Sequence, residues 1–202
     1  MKILTKTITA YSFNELDEFT REDAKTCILE RERLLEFFTE DIKETLKSDF
    51  GLFHLNTYYS LSSCQGDGLC LYGKITFHEL FDNVKFKQIA FKGIHHKQIQ
   101  SVYDELQNID FTHKSRYYHA NSVSIEEDIY NPTDKQMSII EKIVANVKSW
   151  YFTFCREWEK RGYVFFYEIS DELTEIISVE NDYLFTKKGK LINRNEYLEL
   201  SA

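Results

Sequence analysis

The stretch YYSLSSCQGDGLCLYG, residues 58–73, decides how the middle of this chain folds. The whole chain has 7 glycines, and Gly66, Gly68 and Gly73 fall within eight residues of one another. Alternating residues precede and follow SCQGDG, so the pattern predicts two antiparallel strands joined by a tight loop. We expect Gly66 and Gly68 to adopt positive φ values, which other residues reach only with strain.

Further elements are predicted on both sides of this hairpin. Apolar residues at helical spacing predict two long helices, near residues 22–47 and 132–162, the second ended by Gly162. No Pro/Gly/Ser-rich linker divides the chain, so we predict a single α+β domain over residues 1–202, an antiparallel sheet with long helices packed on one face. The other predicted elements are a strand at residues 2–13, a helix at 96–108, one or two strands within 111–129, a helix begun at Ser170 and a hairpin turning at KKGK, residues 187–190.

The composition restricts the class of protein. No apolar run approaches the ~20 residues that a membrane helix needs, so we expect a cytoplasmic protein without a membrane segment. The 4 cysteines include no C-x-x-C pair and are expected to be free thiols in that compartment. The formal net charge is −8. A chain of this charge is poorly suited to hold nucleic acid by its phosphates. The segments KSRYYH, residues 114–119, and KFKQIAFKG, residues 85–93, form the best basic-aromatic patch, so RNA binding stays a minor alternative.

The segments AYSFNELDE, YSLSSCQGDGLCLYG and SRYYHANSVSIE follow one another along the chain. In this order they resemble segments of a widespread family of small phage and mobile-element proteins, and the tail NDYLFTKKGKLI is similar to the family's usual ending. Cys64 departs from the family's usual Ser, and Leu69 and Leu71 stand where Ala or Val and Phe are common. The family is largely uncharacterised, so the resemblance implies a fold and a phage or prophage setting. Loosely labelled relatives are called antitoxin-like.

The loop motif of the hairpin matches no known ligand loop; it consists of Gln65, Gly66, Asp67 and Gly68. A Walker-type phosphate loop needs G-x-x-x-x-G-K-[ST], whereas here one residue separates the two glycines and no Lys follows. A calcium-binding EF-hand needs oxygen ligands at alternate positions over twelve residues, which the loop does not supply. The adjacent His95 and His96 cannot easily ligate one ion together. We therefore predict no metal site and no cofactor.

A catalytic role for the loop is an alternative. If the hairpin and the later strands are neighbours, Gln65 and Asp67 would approach His119 or His113, and an Asp–His pair is suited to acid/base chemistry on a phosphodiester. Arg116 would then act as an anion clamp and Tyr118 as a hydrogen-bond donor. The structural interpretation instead gives Gln65 and Asp67 hydrogen bonds to loop amides and places His119 at a polar core position. Because no nucleophile signature or metal-ligand spacing accompanies these residues, we favour the structural interpretation.

Two surfaces are candidates for binding a protein partner. One is an acidic helix face suited to a basic partner, although Lys and Arg at helical spacing partly cancel it. The other is the aromatic run WYFTFCREW, residues 150–158, which covers more than one helix face. The simpler explanations are a solvated acidic face and a core helix, and a homodimer seam is a third explanation for the aromatic run. The candidate residues are Glu36, Glu40, Glu44, Trp150 and Tyr151.

These patterns together favour a protein that acts by binding. The family resemblance, the acidic segments and the absence of a complete catalytic motif predict a phage- or prophage-encoded accessory protein. It would inhibit a host defence nuclease in an anti-CRISPR-like manner, by stoichiometric protein binding that blocks a basic channel. The alternatives are a nucleic-acid-processing enzyme that uses Asp67 and His119, and an antitoxin-like protein that binds a toxin.

Overall fold

The computed structural model describes residues 9–32, 34–61, 66–167 and 169–192. The predicted first strand therefore lies largely outside the described residues, and so does Gln65 of the loop motif. The chain divides into two compact units. We call Phe38–Tyr163 the sheet unit, and residues 1–37 together with 164–202 the terminal unit. The single domain stays a prediction.

The helices and strands are defined as follows. The strands are β1 (Leu55–Ser60), β2 (Gly68–Thr76), β3 (Leu106–His113) and β4 (Val123–Ile129). Within the described residues, no helix is both long enough and apolar enough to cross a membrane. The helices are α1 (Glu18–Arg31), α2 (Leu34–Phe50), α3 (Phe77–Asp82), α4 (Val84–Ala90), α5 (His96–Gln100), α6 (Asp134–Tyr167) and α7 (Asp171–Glu180).

The strands form an antiparallel sheet in the order β1-β2-β3-β4. The register places Tyr59 opposite Leu69, so alternating residues of the two strands share an inner face. Both α2 and α6 cover this face. The ring of Phe38 lies 5.2 Å from that of Tyr59, and the ring of Tyr151 lies 5.2 Å from that of Phe111. The prediction of an α+β fold with an antiparallel sheet and long helices on one face is confirmed.

The aromatic residues at the middle of α6 lie in the core of the sheet unit. Trp150 is 7% exposed, and its ring centroid lies 4.8 Å from that of Phe86 and 5.3 Å from that of Phe50. Tyr151 is buried, and its hydroxyl donates to the carbonyl of Ala120 at 3.2 Å. Burial keeps both side chains from direct contact with a partner. We therefore withdraw Trp150 and Tyr151 as binding residues and adopt the core-helix explanation.

The single helix predicted over residues 22–47 is two helices. α1 ends at Arg31 and α2 begins at Leu34. α1 buries Ile28 in the core of the terminal unit, whereas α2 belongs to the sheet unit from Phe38 onward. The two halves of the apolar stripe thus pack in different units, and a continuous helical periodicity does not reveal such a break.

The predicted end of the long helix at Gly162 is wrong, because α6 continues to Tyr167. A Cβ added at Gly162 would lie 2.3 Å from Cδ1 of Leu61 and 2.9 Å from Cζ of Phe38. The missing side chain therefore allows close packing inside the sheet unit. A glycine in a helix costs stability relative to alanine, and here the packing of two large apolar side chains offsets that cost.

The other predicted elements are present with shifted bounds. Of the one or two strands expected within residues 111–129, β4 lies inside this range, whereas β3 overlaps it only at residues 111–113. The helix predicted over residues 96–108 is α5, which ends at Gln100. Leu106 and Asn108 instead pair with β4 as the start of β3, so strand pairing overrides the local helical pattern.

The terminal unit has a small apolar core. Phe13 and Phe185 lie at its centre, with ring centroids 6.3 Å apart. Ser170 caps α7 as predicted. Phe185 also pairs with Leu191 across the predicted turn at residues 187–190, which is confirmed.

The carboxylate of Glu79, buried in α3, joins the ends of β1 and β2. Its Oε1 accepts from the amide of Phe53 at 2.8 Å and lies 3.0 Å from Nδ1 of His54. Its Oε2 accepts from the amide and the hydroxyl of Thr76 at 2.8 and 2.9 Å. Burial raises the pKa of this carboxyl, but the hydrogen bonds from Thr76 and Phe53 outweigh burial and hold the pKa below its ordinary value. Glu79 is therefore ionised in the folded protein at neutral pH.

We predict that Glu79→Gln lowers the free energy of unfolding by about 1–3 kcal/mol, because an amide replaces the charged acceptor of these hydrogen bonds. The contribution of the carboxylate is complete above the ordinary glutamate pKa of 4.5 and is lost as the pH falls through the lower pKa of the folded state. In urea unfolding, the difference between wild type and variant should thus shrink below pH 4.5. Asp82→Asn, at an exposed acid of the same helix, is the control. Equal losses in the two variants, or a difference independent of pH, would contradict this role.

Candidate functional site

The hairpin loop lies against the segment that connects β3 and β4. Gly66 and Gly68 have φ values of 96° and 154°, as the sequence predicts. A Cβ added at Gly66 would lie 2.2 Å from Cδ1 of Tyr117, and one added at Gly68 would lie 3.2 Å from Cα of His119. Only glycine permits so close an approach at these φ values. The loop and the RYYH segment, residues 116–119, therefore meet, as the sequence hypothesis requires.

The connecting segment is fixed by hydrogen bonds to its own backbone. The hydroxyl of Ser122 donates to the carbonyls of Tyr117 and His119, each at 2.6 Å. The carbonyl of Tyr117 also lies 2.8 Å from Nε2 of His113. Side-chain bonds of this kind stabilise a loop in one conformation, so Tyr117 and Tyr118 are positioned before any ligand binds.

Tyr58 and Tyr72 lie on the outer face of the sheet, opposite to Tyr59, and rings from the end of β3 and the β3–β4 connection adjoin them. Tyr58 of β1 stacks on Tyr72 of β2, with ring centroids 4.1 Å apart and planes inclined by 14°. Tyr118 lies 5.7 Å from Tyr58 and stacks on His113 at 5.8 Å. Tyr58, Tyr117 and Tyr118 are 41%, 40% and 38% exposed. We call this set the tyrosine surface: Tyr58, Tyr72, His113, Tyr117 and Tyr118.

Two polar interactions hold rings of the tyrosine surface. The hydrogen bond of Tyr72 to the side chain of Tyr58, together with partial burial, raises the pKa of Tyr72 to about 12. Tyr72 is therefore uncharged at neutral pH. The guanidinium of Arg116 lies 4.8 Å from the ring centroid of Tyr117 and donates to its hydroxyl at 2.6 Å. Arg116, proposed from the sequence as an anion clamp, is thus engaged with a neighbouring ring.

Two of the cations near the tyrosine surface face acids. Nζ of Lys114 lies 3.9 Å from the carboxylate of Glu126. Lys74 stands opposite Asp110 in the register of β2 and β3. A third cation, Arg116, lies on the ring of Tyr117. A groove that binds a phosphate backbone has a row of cations without facing acids, which differs from this arrangement.

Asp67 and His119 both have structural hydrogen bonds. Oδ1 of Asp67 accepts from the hydroxyl of Ser60 at 2.6 Å, across the hairpin. Nδ1 of His119 accepts from the amide of Asn121 at 3.1 Å and caps the short 3-10 helix Ala120–Ser122. A neutral His119 therefore has its proton on Nε2. These contacts favour the structural interpretation of both residues, and the enzymatic alternative stays a hypothesis.

The acidic residues considered for a basic partner are exposed on α2; they are Glu36, Glu40 and Glu44. Glu40 pairs with Lys43 at 3.0 Å, so part of the charge is cancelled, as the helical spacing predicts.

Over the part of the chain that the structure describes, no group of three or more His, Cys, Asp or Glu side chains is placed to hold a metal ion.

Sequence reasoning missed Tyr58 and Tyr72 as members of a site. The alternation that places Tyr59 on the inner face also places Tyr58 on the outer face, so this signal was present. The contact with Tyr72 depends on the register, in which Tyr58 stands opposite Cys70. A shift of one residue would turn these side chains to the other face, and the hairpin sequence alone does not fix that register.

We predict that Gly66→Ala lowers the free energy of unfolding by about 1–3 kcal/mol, because its φ is strained for alanine and its Cβ meets the ring of Tyr117. In a Tyr117→Ala background the steric part of this cost should disappear while the strain remains. Urea unfolding of wild type, both single variants and the double variant measures the coupling.

Gly93→Ala is the matched control for this cycle. Its φ is 71°, so alanine is strained there too, but the added Cβ would lie at an ordinary 3.5 Å from Nζ of Lys142. Gly66→Ala should therefore cost more than Gly93→Ala in the wild-type background. Additive effects of Gly66→Ala and Tyr117→Ala would show that the ring does not pack on the loop.

A family model described as "Domain of unknown function (DUF8835)" matches residues 35–187, more than half of the chain. The chain therefore belongs to this family. The matched residues include the whole sheet unit and with it the tyrosine surface. No curated protein and no solved structure matches the chain.

Proposed function

We propose that this member of the DUF8835 family acts by stoichiometric binding of a protein partner through its tyrosine surface. The observation that supports this most directly is the contact between partly exposed rings: Tyr58 stacks on Tyr72, and Tyr118 lies against Tyr58 and stacks on His113. Aromatic side chains contribute a large share of the binding energy at protein interfaces. The hydrogen bonds of Ser122 hold part of the surface in place beforehand, which lowers the entropic cost of binding.

A protein ligand suits this surface better than a nucleic acid does. Single strands bind where aromatic rings accompany a positive groove that neutralises phosphates. Here Lys114 is paired with Glu126, and the chain as a whole has a net charge of −8. A nucleic-acid strand would gain stacking but little neutralisation, whereas a protein partner needs only the apolar ring faces.

The acidic face of α2 indicates the charge of the partner. Glu40 and Glu44 are exposed on α2, which covers the face of the sheet opposite to Tyr58, and Glu40 is paired with Lys43. They would therefore act on a partner through the long-range field and not by contact at the tyrosine surface. Acidic side chains speed the association with a basic surface, and the nucleic-acid channel of a nuclease is such a surface. Together with the resemblance to phage proteins, this supports a host defence nuclease, such as a CRISPR effector, as the partner. The protein would then be a phage- or prophage-encoded inhibitor that works in the host cytoplasm.

We predict that the immobilised wild-type protein retains a nuclease at near-equimolar amount from a lysate of host cells with intact defence systems. The double variant Tyr58→Ser/Tyr118→Ser should retain about tenfold less, because it removes two rings from the centre of the surface. Tyr130→Ser is the control, since Tyr130 is 75% exposed in the same unit and lies outside the surface. Mass spectrometry identifies the retained protein, and a cleavage assay with the purified nuclease measures inhibition.

The outcomes separate the alternatives. Equal retention by wild type and the double variant would remove the tyrosine surface from the proposal. Retention of a toxin that depends on Tyr58 and Tyr118 would replace the nuclease with a toxin and make the protein antitoxin-like. Turnover of nucleic acid at sub-stoichiometric protein, abolished by His119→Ala in a folded variant, would favour the enzymatic alternative.

A further inference from the structure

Helix α7 packs Ile177 against the core of the terminal unit, but its two fully buried residues are polar and several of its apolar residues are exposed. Thr174 and Ser178 are buried, and their hydroxyls donate to the carbonyls one turn earlier at 2.9 and 2.7 Å. Leu173, Ile176 and Val179 are exposed. These three side chains fall within about 120° of the helix circumference, so they form one stripe. A helix that packs on a core normally shows the reverse arrangement, with its apolar stripe turned inward.

A cavity of about 680 Å³ lies beside this stripe. Phe13, Val179, Leu184 and Ile192 supply much of its apolar lining. Val179 belongs both to the cavity wall and to the exposed stripe, so cavity and stripe are continuous. A volume of this size accepts several large side chains. We call the cavity together with Leu173, Ile176 and Val179 the α7 groove.

The helix of the α7 groove is acidic. Residues 169–186 include five Asp or Glu and no Lys or Arg, whereas Lys187, Lys188 and Lys190 follow in the turn between the lining residues Leu184 and Ile192. One of the five, at the start of α7, is paired with two cations of α1. Glu175 and Asp182 line the cavity, and Glu172 and Glu180 are exposed on the helix. The α7 groove is thus an apolar surface with acidic side chains beside it. Such a surface fits a ligand that combines apolar and positively charged groups.

We propose that the α7 groove binds a basic amphipathic helix of a partner protein. Apolar side chains of that helix would cover Leu173 and Ile176 and enter the cavity at Val179, in the helix-in-groove mode. Its Lys and Arg side chains would meet the acids around the groove. The α7 groove belongs to the terminal unit, so the proposal does not depend on the tyrosine surface.

The same charges disfavour other occupants. A second copy of this chain would bring two acidic grooves together, and like charges across an interface weaken association. A membrane surface with anionic lipids attracts basic protein segments and would repel the acidic helix α7. Among a second copy of the chain, an anionic membrane and a cationic protein segment, the charge of α7 therefore favours the cationic segment.

The probe for the test is a dye-labelled peptide of about 18 residues, five helical turns, with leucine along one face and lysine along the other. Fluorescence anisotropy with the full chain should show saturable binding. The same peptide with glutamate in place of lysine should bind at least tenfold more weakly, on the order of 1.4 kcal/mol.

Val179→Lys should weaken binding of the lysine peptide by about tenfold or more, because it places a charge in the cavity wall. Val84→Lys is the matched control and should bind like wild type, since Val84 is also a helical valine, 72% exposed against 71% for Val179. Glu172→Gln/Glu180→Gln should weaken binding and reduce its dependence on salt.

Equal affinity of the wild type for the two peptides would overturn the proposal without recourse to any variant. Equal losses in Val179→Lys and Val84→Lys, with both folded by circular dichroism, would also overturn it. A concentration-dependent dimer of the wild type that Val179→Lys dissociates would do the same, because the groove would then bind a second copy.

Discussion

The close approach of the hairpin glycines to residues 117–119 determines the outer face of the sheet. With 2.2 Å between an added Cβ at Gly66 and the ring of Tyr117, a side chain at this position would displace the connecting segment. The contact brings the loop between β1 and β2 onto the connection between β3 and β4. Aromatic residues from three strands and one connection thereby form a single surface. Without the contact between Gly66 and Tyr117, Tyr58 and Tyr72 would form a cross-strand pair with no neighbouring ring from the β3–β4 connection.

The aromatic residues of this chain have two separate roles. Trp150 and Tyr151 fill the core under the sheet, where α2 and α6 cover the inner face. The inner face therefore supplies the main apolar core of the sheet unit, although Cys70, opposite Tyr58, is buried as well. Rings on the outer face are not needed for that core, and an exposed cluster of rings is typical of an interaction surface. The stacking of these rings and the hydrogen bonds from Ser122 make the surface rigid, which lowers the entropic cost of binding a partner.

Local patterns in the sequence predict the fold class, because alternation, helical spacing and paired glycines are properties of short segments. The contact of the loop with the RYYH segment is a condition of the enzymatic alternative, and only the structure shows that it forms. Local patterns do not predict the break between Arg31 and Leu34 or the passage of α6 through Gly162, since both depend on contacts made far along the chain. The tyrosine surface can be predicted only in part. Alternation places Tyr58 and Tyr59 on opposite faces of the sheet, but only the register shows that Tyr58 stacks on Tyr72. In α7, the hydroxyls of Thr174 and Ser178 face inward, whereas a prediction from helical spacing assumes that the apolar side chains do so.

Hydroxyl-radical footprinting of the protein, free and in complex with the partner that it retains, tests binding through the tyrosine surface most directly. We predict that Tyr58, Tyr117 and Tyr118 become protected from oxidation in the complex. Tyr130, which is 75% exposed and lies outside the surface, should react as it does in the free protein. Unchanged oxidation of the three tyrosines in a complex that is otherwise intact would contradict the proposed function.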